Sequence, residues 1–185
     1  MVVGLARGGV VVAREIAARL NLPLDVLVVK KIPSPYEREL AVGALAPDGV
    51  SWVLWPTLQR AGADEAYLKS QIHRLEEQIK QQILVYRKGK KPLEVKDKIV
   101  ILTDDGVATG ATMEAAIKWC RKKKAQKIIV AAPVASPEVV AKIKPEVKEL
   151  VILEVTGDLV AVGQFYRNFD QVEDGEVVAL LQEKN

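Results

Sequence analysis

Residues 99–113 read Ile-Val-Ile-Leu-Thr-Asp-Asp-Gly-Val-Ala-Thr-Gly-Ala-Thr-Met, and no other stretch of the 185 residues constrains the fold so tightly. The run opens with four apolar residues without a polar break, the pattern of a strand covered on both faces in a parallel sheet. Two carboxylates follow at the strand's C-terminal end, and then a turn rich in Gly and Thr. Beyond it Met113, Ala116, Ile117 and Cys120 recur at spacings of three and four, which predicts a helix over residues 110–124 with one buried face. A strand that feeds a helix through a short turn is half of a βαβ unit, and such units cross over right-handed.

The same alternation recurs along the chain. Val2–Leu5 reads as a short buried strand. A helix follows with Val12, Ile16 and Leu20 on one face, and residues 24–32 form a second apolar run that suits the centre of a parallel sheet. Further strands are expected over 98–102, 127–133 and Glu149–Val155, with a helix over Pro137–Ile143. Two segments break the rhythm. Residues 32–39, with two prolines, a tyrosine and charges, read as a mobile loop. Ala41–Ala46 and residues 50–54 flank Pro47-Asp48-Gly49 and form a hairpin. Residues 64–86 give the longest helix, with Leu68, Ile72, Leu75, Ile79, Ile83 and Tyr86 on one face. The tail 157–185 is irregular around Phe165, Tyr166 and Phe169, and ends in a short helix near 176–182. The expected fold is therefore α/β: an open, mainly parallel sheet with helices on both faces, plus a hairpin and long-helix insertion. It forms one domain, with the insertion at about residues 33–92 and an irregular segment at about 156–170.

Composition narrows the function classes. The chain carries 27 Lys and Arg against 24 Asp and Glu, a net charge of +3, too small and too dispersed to argue for nucleic acid. The main basic stretch, residues 87–91 with Lys96 and Lys98, follows a helix end, where it complements the dipole and is expected to be solvated. One cysteine, Cys120, excludes an intrachain disulfide and a Cys-rich zinc site. The single histidine, His73, sits in the long helix as an ordinary residue. No apolar run is long enough to cross a bilayer, and the opening residues lack a secretory signal, which favours the cytosol.

The turn after residue 103 carries the chemistry. Backbone N–H groups at a helix N-terminus form an anion site, and Gly106 and Gly110 let the backbone come close to a phosphate. Thr109 and Thr112 add hydroxyl donors. Asp104 and Asp105 repel phosphate, but they accept hydrogen bonds from ribose hydroxyls or hold Mg²⁺. A phosphate beside a diol is a sugar phosphate. Two other readings of these residues stay open: a generic αβ turn with solvated carboxylates, and a phospho-accepting aspartate of the receiver type.

The order apolar run, Asp-Asp, three residues, Thr-Gly-x-Thr resembles the signature of the type I phosphoribosyltransferases. Within that family the whole chain is similar to a subgroup of unassigned substrate. The likeness rests also on Leu5-Ala6-Arg7-Gly8-Gly9, the Lys30-Lys31 pair, Leu40-Ala41-Val42-Gly43-Ala44, residues 132–138 and residues 161–166. It implies a core of the family's open sheet with residues 156–170 as the hood. The loop Asp104, Asp105, Gly106, Val107, Ala108, Thr109, Gly110, Ala111, Thr112 would hold the ribose 5-phosphate and Mg²⁺ of 5-phosphoribosyl-1-pyrophosphate. Arg7, with Gly8 and Gly9, would clamp the pyrophosphate, and Lys30 or Lys31 would face it, Lys30 being preferred. Residues 32–39 would close as a lid. Phe165 or Tyr166 would stack on a base or plug the sheet edge.

The resemblance implies transfer of the phosphoribosyl group to an unidentified nitrogen acceptor, a nucleobase, with release of pyrophosphate. A non-catalytic regulator that binds the same ligand is the alternative. The 6-oxopurine enzymes of the family carry an Asp where this chain has Ala108, which speaks against hypoxanthine and guanine. The chain opens almost inside its first strand, whereas members usually carry a helical segment ahead of it. An oligomer contact or the hood is therefore expected to cover that part of the sheet, and the long helix offers a face for a second subunit.

Overall fold

The computed structural model describes residues 1–37, 40–89 and 91–183. Five parallel strands form the main sheet: β1 (Val2–Leu5), β2 (Leu24–Leu27), β6 (Ile99–Thr103), β7 (Lys127–Ala135) and β8 (Glu149–Val155), in the order β2-β1-β6-β7-β8. A second, antiparallel sheet joins β3 (Lys30–Pro33), β4 (Ala41–Ala46) and β5 (Val50–Val53). Among the described residues six α-helices complete the architecture: α1 (Gly8–Leu20), α2 (Trp55–Arg60), α3 (Glu65–Arg87), α4 (Ala111–Lys122), α5 (Pro137–Ile143) and α6 (Asp174–Gln182). No helix among the described residues is long and apolar enough to cross a membrane.

Alternation along the central strands divides the core. Val3, Leu5, Val100, Leu102 and Val130 pack with Met113, Ile117 and Cys120 of α4 on one face. Val2 packs with Ala13 and Ala17 of α1 on the other. Burial pushes the Cys120 thiol up to about 12, so it behaves as an apolar group.

Several expectations need correction. The face of α1 that meets the sheet carries Gly9, Val10, Ala13 and Ala17. Val12 and Ile16 are only partly buried and Leu20 is 54% exposed. Small residues let the helix sit close, and the larger apolar side chains are left over the rim. Residues 24–32 are not one central strand. β2 is an edge strand that pairs only with β1, and the chain then turns into the antiparallel sheet through Val28 and Val29. Its apolar run arises because both faces are covered: Val26, Val28 and Ile32 pack with Leu75, Ile79, Tyr86, Val177 and Val178, while Leu27 and Val29 join the α4 side. Burial on two faces requires two covering layers, not a strand on each side.

The hairpin and long helix stand as expected, with Asp64 capping α3 through Tyr67 N–H at 2.7 Å. Helix α2, with Pro56 in its first turn, is too short to show a periodic signal in the sequence. Residues 32–39 are in part ordered: Ile32 and Pro33 belong to β3 and Ser34 is buried, while Arg38 and Glu39 of the expected lid lie outside the described residues. The basic stretch is not all solvated either. Arg87 makes a bidentate pair with Asp25, Nη1–Oδ1 2.7 Å and Nη2–Oδ2 3.2 Å, which ties the end of α3 to the edge strand β2. On the outer edge, Val151, Leu153 and Val155 of β8 are 43, 82 and 49% exposed.

Candidate functional site

The C-terminal ends of β1 and β6 lie side by side, with Val3 opposite Leu102 and Gly4 opposite Thr103. This register brings together two turns that are about a hundred residues apart in sequence. After β1, Arg7 precedes α1, which starts at Gly8. After β6, Asp104 and Asp105 precede the glycine turn and α4. Ligands of open α/β sheets collect at such strand ends.

The two turns are in contact. A Cβ at Gly8 would lie 2.0 Å from Oδ2 of Asp105, and one at Gly9 would lie 2.7 Å from the carbonyl oxygen of Thr103. Only glycine permits this approach, so Gly8 and Gly9 serve first to seat α1 on the carboxylate pair. Neither α1 nor α4 has a side chain capping its N-terminus, whereas Asp64 caps α3 and Ser136 caps α5. The first-turn N–H groups of α1 and α4 therefore have no capping side chain to receive them.

Asp104 and Asp105 share a crowded corner. The N–H of Asp105 donates to Oδ1 of Asp104 at 3.0 Å. Burial raises the proton affinity of Asp104, and the neighbouring charge of Asp105 raises it further. Burial also raises Asp105, while hydrogen bonds and the charge of Lys31 oppose that shift. The pair is thus short of positive charge. Among the described residues no three His, Cys, Asp or Glu side chains converge as a metal cage. Two hard carboxylate oxygens suit Mg²⁺, which takes one or two carboxylates and completes its shell with water and phosphate oxygens.

The turn itself is held from behind. Val107 N–H donates to the carbonyl of Val134 at 2.9 Å, and Ser136 Oγ donates to the carbonyl of Ala108 at 3.3 Å. Gly110 takes φ +78° at the start of α4, and Ala111 is buried beneath it. Thr109 is exposed and Thr112 partly so, which leaves their hydroxyls at the rim.

Residues 162–169 fold over this corner. A Cβ at Gly106 would lie 2.6 Å from Cγ1 of Val162, so the hood segment rests directly on the turn. The Tyr166 hydroxyl donates to the carbonyl of Asp105 at 2.6 Å. Burial and the two carboxylates push that hydroxyl up to about 12, so it remains a donor. The Tyr166 and Phe169 rings lie 5.1 Å apart at 48°. A cavity of about 570 Å³ opens between hood and α1, lined among others by Arg7, Val11, Val12, Asp105, Tyr166 and Phe169. Phe165 is not among its lining residues. Phe169 takes the position beside Tyr166, which its place in the sequence does not reveal.

The two lysines part company. They open β3 and do not end β2, so their side chains leave the antiparallel sheet on opposite faces. Lys31 acts on the charges of Asp104 and Asp105. Lys30 is grouped with Arg7 and Asp174; burial lowers its proton affinity, Asp174 opposes that and Arg7 adds to it. Asp174, at the start of α6, carries no signal in the sequence, since an Asp in a helix's first turn is ordinary.

An open sheet whose strand ends converge on an acidic pair and a glycine turn defines the class, and comparison with known proteins agrees. The phosphoribosyl transferase domain model matches residues 58–168, and the chain belongs to that family. TT1426 of Thermus thermophilus superposes with a TM-score of 0.79 at 40% identity, covering 97% of this chain and 85% of that one. Two proteins of Mycobacterium tuberculosis, one from each of two strains and both provisionally named phosphoribosyl transferases, are each 40% identical over 185 residues. The match takes in 98% of this chain but 41% of theirs, so the chain spans less than half the length of these curated relatives.

Proposed function

We propose that the chain transfers a phosphoribosyl group from 5-phosphoribosyl-1-pyrophosphate to a nitrogen nucleophile, a nucleobase, and releases pyrophosphate. The observation that carries this reading is the contact of the Arg7-Gly8-Gly9 turn with the Asp104–Asp105 pair. One turn offers a cation and a helix N-terminus for pyrophosphate. The other offers carboxylates for a diol and a second N-terminus for a phosphate.

In this reading the first-turn amides of α4, with Gly106, Val107, Ala108, Thr109, Gly110, Ala111 and Thr112, hold the 5-phosphate. Binding there is remote from the reacting carbon and orients C1 of the ribose. Asp104 and Asp105 accept from the ribose hydroxyls and place negative field beside the cationic ribose of the transition state. The C1–oxygen bond to pyrophosphate breaks, its electron pair leaves with the pyrophosphate, the nitrogen lone pair closes the new bond, and the proton that the nitrogen gives up passes to the departing pyrophosphate or to water. Arg7, with Lys30 or Lys31, steadies the leaving charge. Asp104 and Asp105 would hold Mg²⁺, which when bound supplies further neutralisation of the pyrophosphate. The acceptor enters the 570 Å³ cavity, where Tyr166 and Phe169 offer aromatic faces. Hood and lid together keep out water, which would otherwise capture the ribose cation.

The test is a screen of nucleobases and small amines for Mg²⁺-dependent pyrophosphate release. Release that depends on one acceptor and disappears in Asp104→Asn/Asp105→Asn supports the transferase. Tight binding of the sugar pyrophosphate with no release for any acceptor makes the chain a regulatory binder and removes the enzyme reading.

A further inference from the structure

The start of α6 brings two carboxylates to the cations assigned above to pyrophosphate. Arg7 Nη1 lies 3.9 Å from Oε2 of Glu173 and 3.9 Å from Oδ1 of Asp174. At that separation the contacts are ion pairs without direct hydrogen bonds, so a phosphate oxygen at hydrogen-bond distance outcompetes them.

The two acids differ in freedom. Asp174 is anchored: its Oδ1 accepts from the Tyr86 hydroxyl at 2.6 Å and from Gln82 Nε2 at 3.2 Å. Its charge is further held by Arg7 and Lys30, after the dominant effect of the Tyr86 hydrogen bond. The Glu173 side chain is 76% exposed. Helix α6 is itself fixed, with Val177 and Val178 buried and Arg14 Nε 3.0 Å from Oε2 of Glu183 at its far end. Arg7 thus faces two anions, one fixed and one movable, and Lys30 lines one pocket with the fixed one, on an element that packs against α1 and α3.

We infer that Glu173 and Asp174 act as an internal anion that competes with pyrophosphate for Arg7 and Lys30. This rests on the reading of Arg7 as part of the pyrophosphate subsite. In the unliganded protein the pair neutralises a cationic pocket. When pyrophosphate arrives, Glu173 swings into solvent and Asp174 stays. The residual negative charge then limits the hold on pyrophosphate, which has to leave as product.

The experiment is calorimetric titration of inorganic pyrophosphate with Mg²⁺ into the full chain. In Glu173→Gln/Asp174→Asn the Asn amide oxygen can still accept from Tyr86. This variant is expected to bind pyrophosphate about five- to tenfold more tightly at low ionic strength, the gap closing as salt rises. Glu173→Gln alone, at an exposed position, should recover about twofold of this without touching the fold. Unchanged or weaker binding in both variants, with Arg7→Ala still abolishing it, overturns the internal anion and leaves the pyrophosphate subsite standing. Wild-type binding that is indifferent to Arg7→Ala removes the subsite, and the inference falls with it.

Discussion

The hydroxyl of Tyr166 donates to the backbone carbonyl of Asp105 at 2.6 Å, joining positions 61 residues apart. It fastens the hood to the backbone of the residue whose carboxylate faces Gly8. Tyr166→Phe keeps the ring beside Phe169 and removes only this bond. It should cost about 1 kcal/mol of stability. In the assay for pyrophosphate release, the acceptor KM should rise with little change in the KM for the sugar pyrophosphate. An equal rise in both would separate Tyr166 from the acceptor cavity.

Asp104 gives a prediction in the opposite sense for stability. Burial raises its folded proton affinity above that of the unfolded chain, so the folded protein binds the extra proton. The sign follows: the folded state is favoured below the ordinary carboxylate pKa, and this advantage is lost as pH rises through the raised value. At neutral pH Asp104 is therefore a burden on the unliganded fold, since the unfolded chain gives up this proton more readily than the folded one. Asp104→Asn should raise Tm at pH 7, by about 2–4 °C for each kcal/mol relieved, and should leave it nearly unchanged at a pH of about 3, below the ordinary carboxylate range. The same variant should lose binding of 5-phosphoribosyl-1-pyrophosphate by orders of magnitude. Thermal scans across pH, paired with ligand titration, check both arms.

Gly8→Ala tests the contact between the two turns. The added methyl would fall 2.0 Å from Oδ2 of Asp105, so the carboxylate must rotate or α1 must withdraw. A stability loss of about 1–3 kcal/mol is expected, as for other overpacked sites. Mg²⁺-dependent ligand binding should fall more steeply than stability, because the carboxylate is displaced from its partner turn. Wild-type binding in this variant would show that the approach of Gly8 to Asp105 has no part in the site.

Arg87→Ala addresses the tie between the end of α3 and the edge strand β2. The Asp25 partner is 22% and the Arg87 side chain 13% exposed, so removing the guanidinium leaves a largely buried carboxylate with the Val26 N–H but without its counter-charge. About 2–3 kcal/mol of destabilisation is expected, short of the cost for a fully buried pair. Denaturant unfolding measures it. Asp25→Asn/Arg87→Ala should recover part of the loss, since the stranded charge is then gone.

Much of the scaffold is legible in the order of residues. The strand over Ile99–Thr103 and helix α4 announce themselves through an unbroken apolar run and a spacing of three and four, both local consequences of backbone geometry. So does α3, on whose stripe Leu68, Leu75, Ile79 and Tyr86 are buried and Ile72 and Ile83 partly so. The burial of Cys120 follows from its place on that same face of α4.

The position of residues 24–32 is not legible. A strand between two helical layers and a strand between two neighbouring strands can have the same composition, because both are dry on two faces. Only packing by α3 and α6 on one side and α4 on the other distinguishes the edge strand β2. For the same reason Phe165 and Phe169 look alike. Which of them meets Tyr166 depends on a short turn over Val162–Phe165 that carries no periodic signal.

The sequence by itself determined the parts of the site: an acidic pair at a strand end, a glycine turn opening a helix, and an Arg-Gly-Gly turn at the start of another. Each is a local statement, written in contiguous residues. Only the tertiary structure decided their assembly, because the register of β1 on β6 sets Gly8 against Asp105, and α6 returns to set Asp174 beside Arg7 and Lys30. Contacts of that kind depend on chain closure over tens to more than a hundred residues, and no local spacing encodes which charge will meet which.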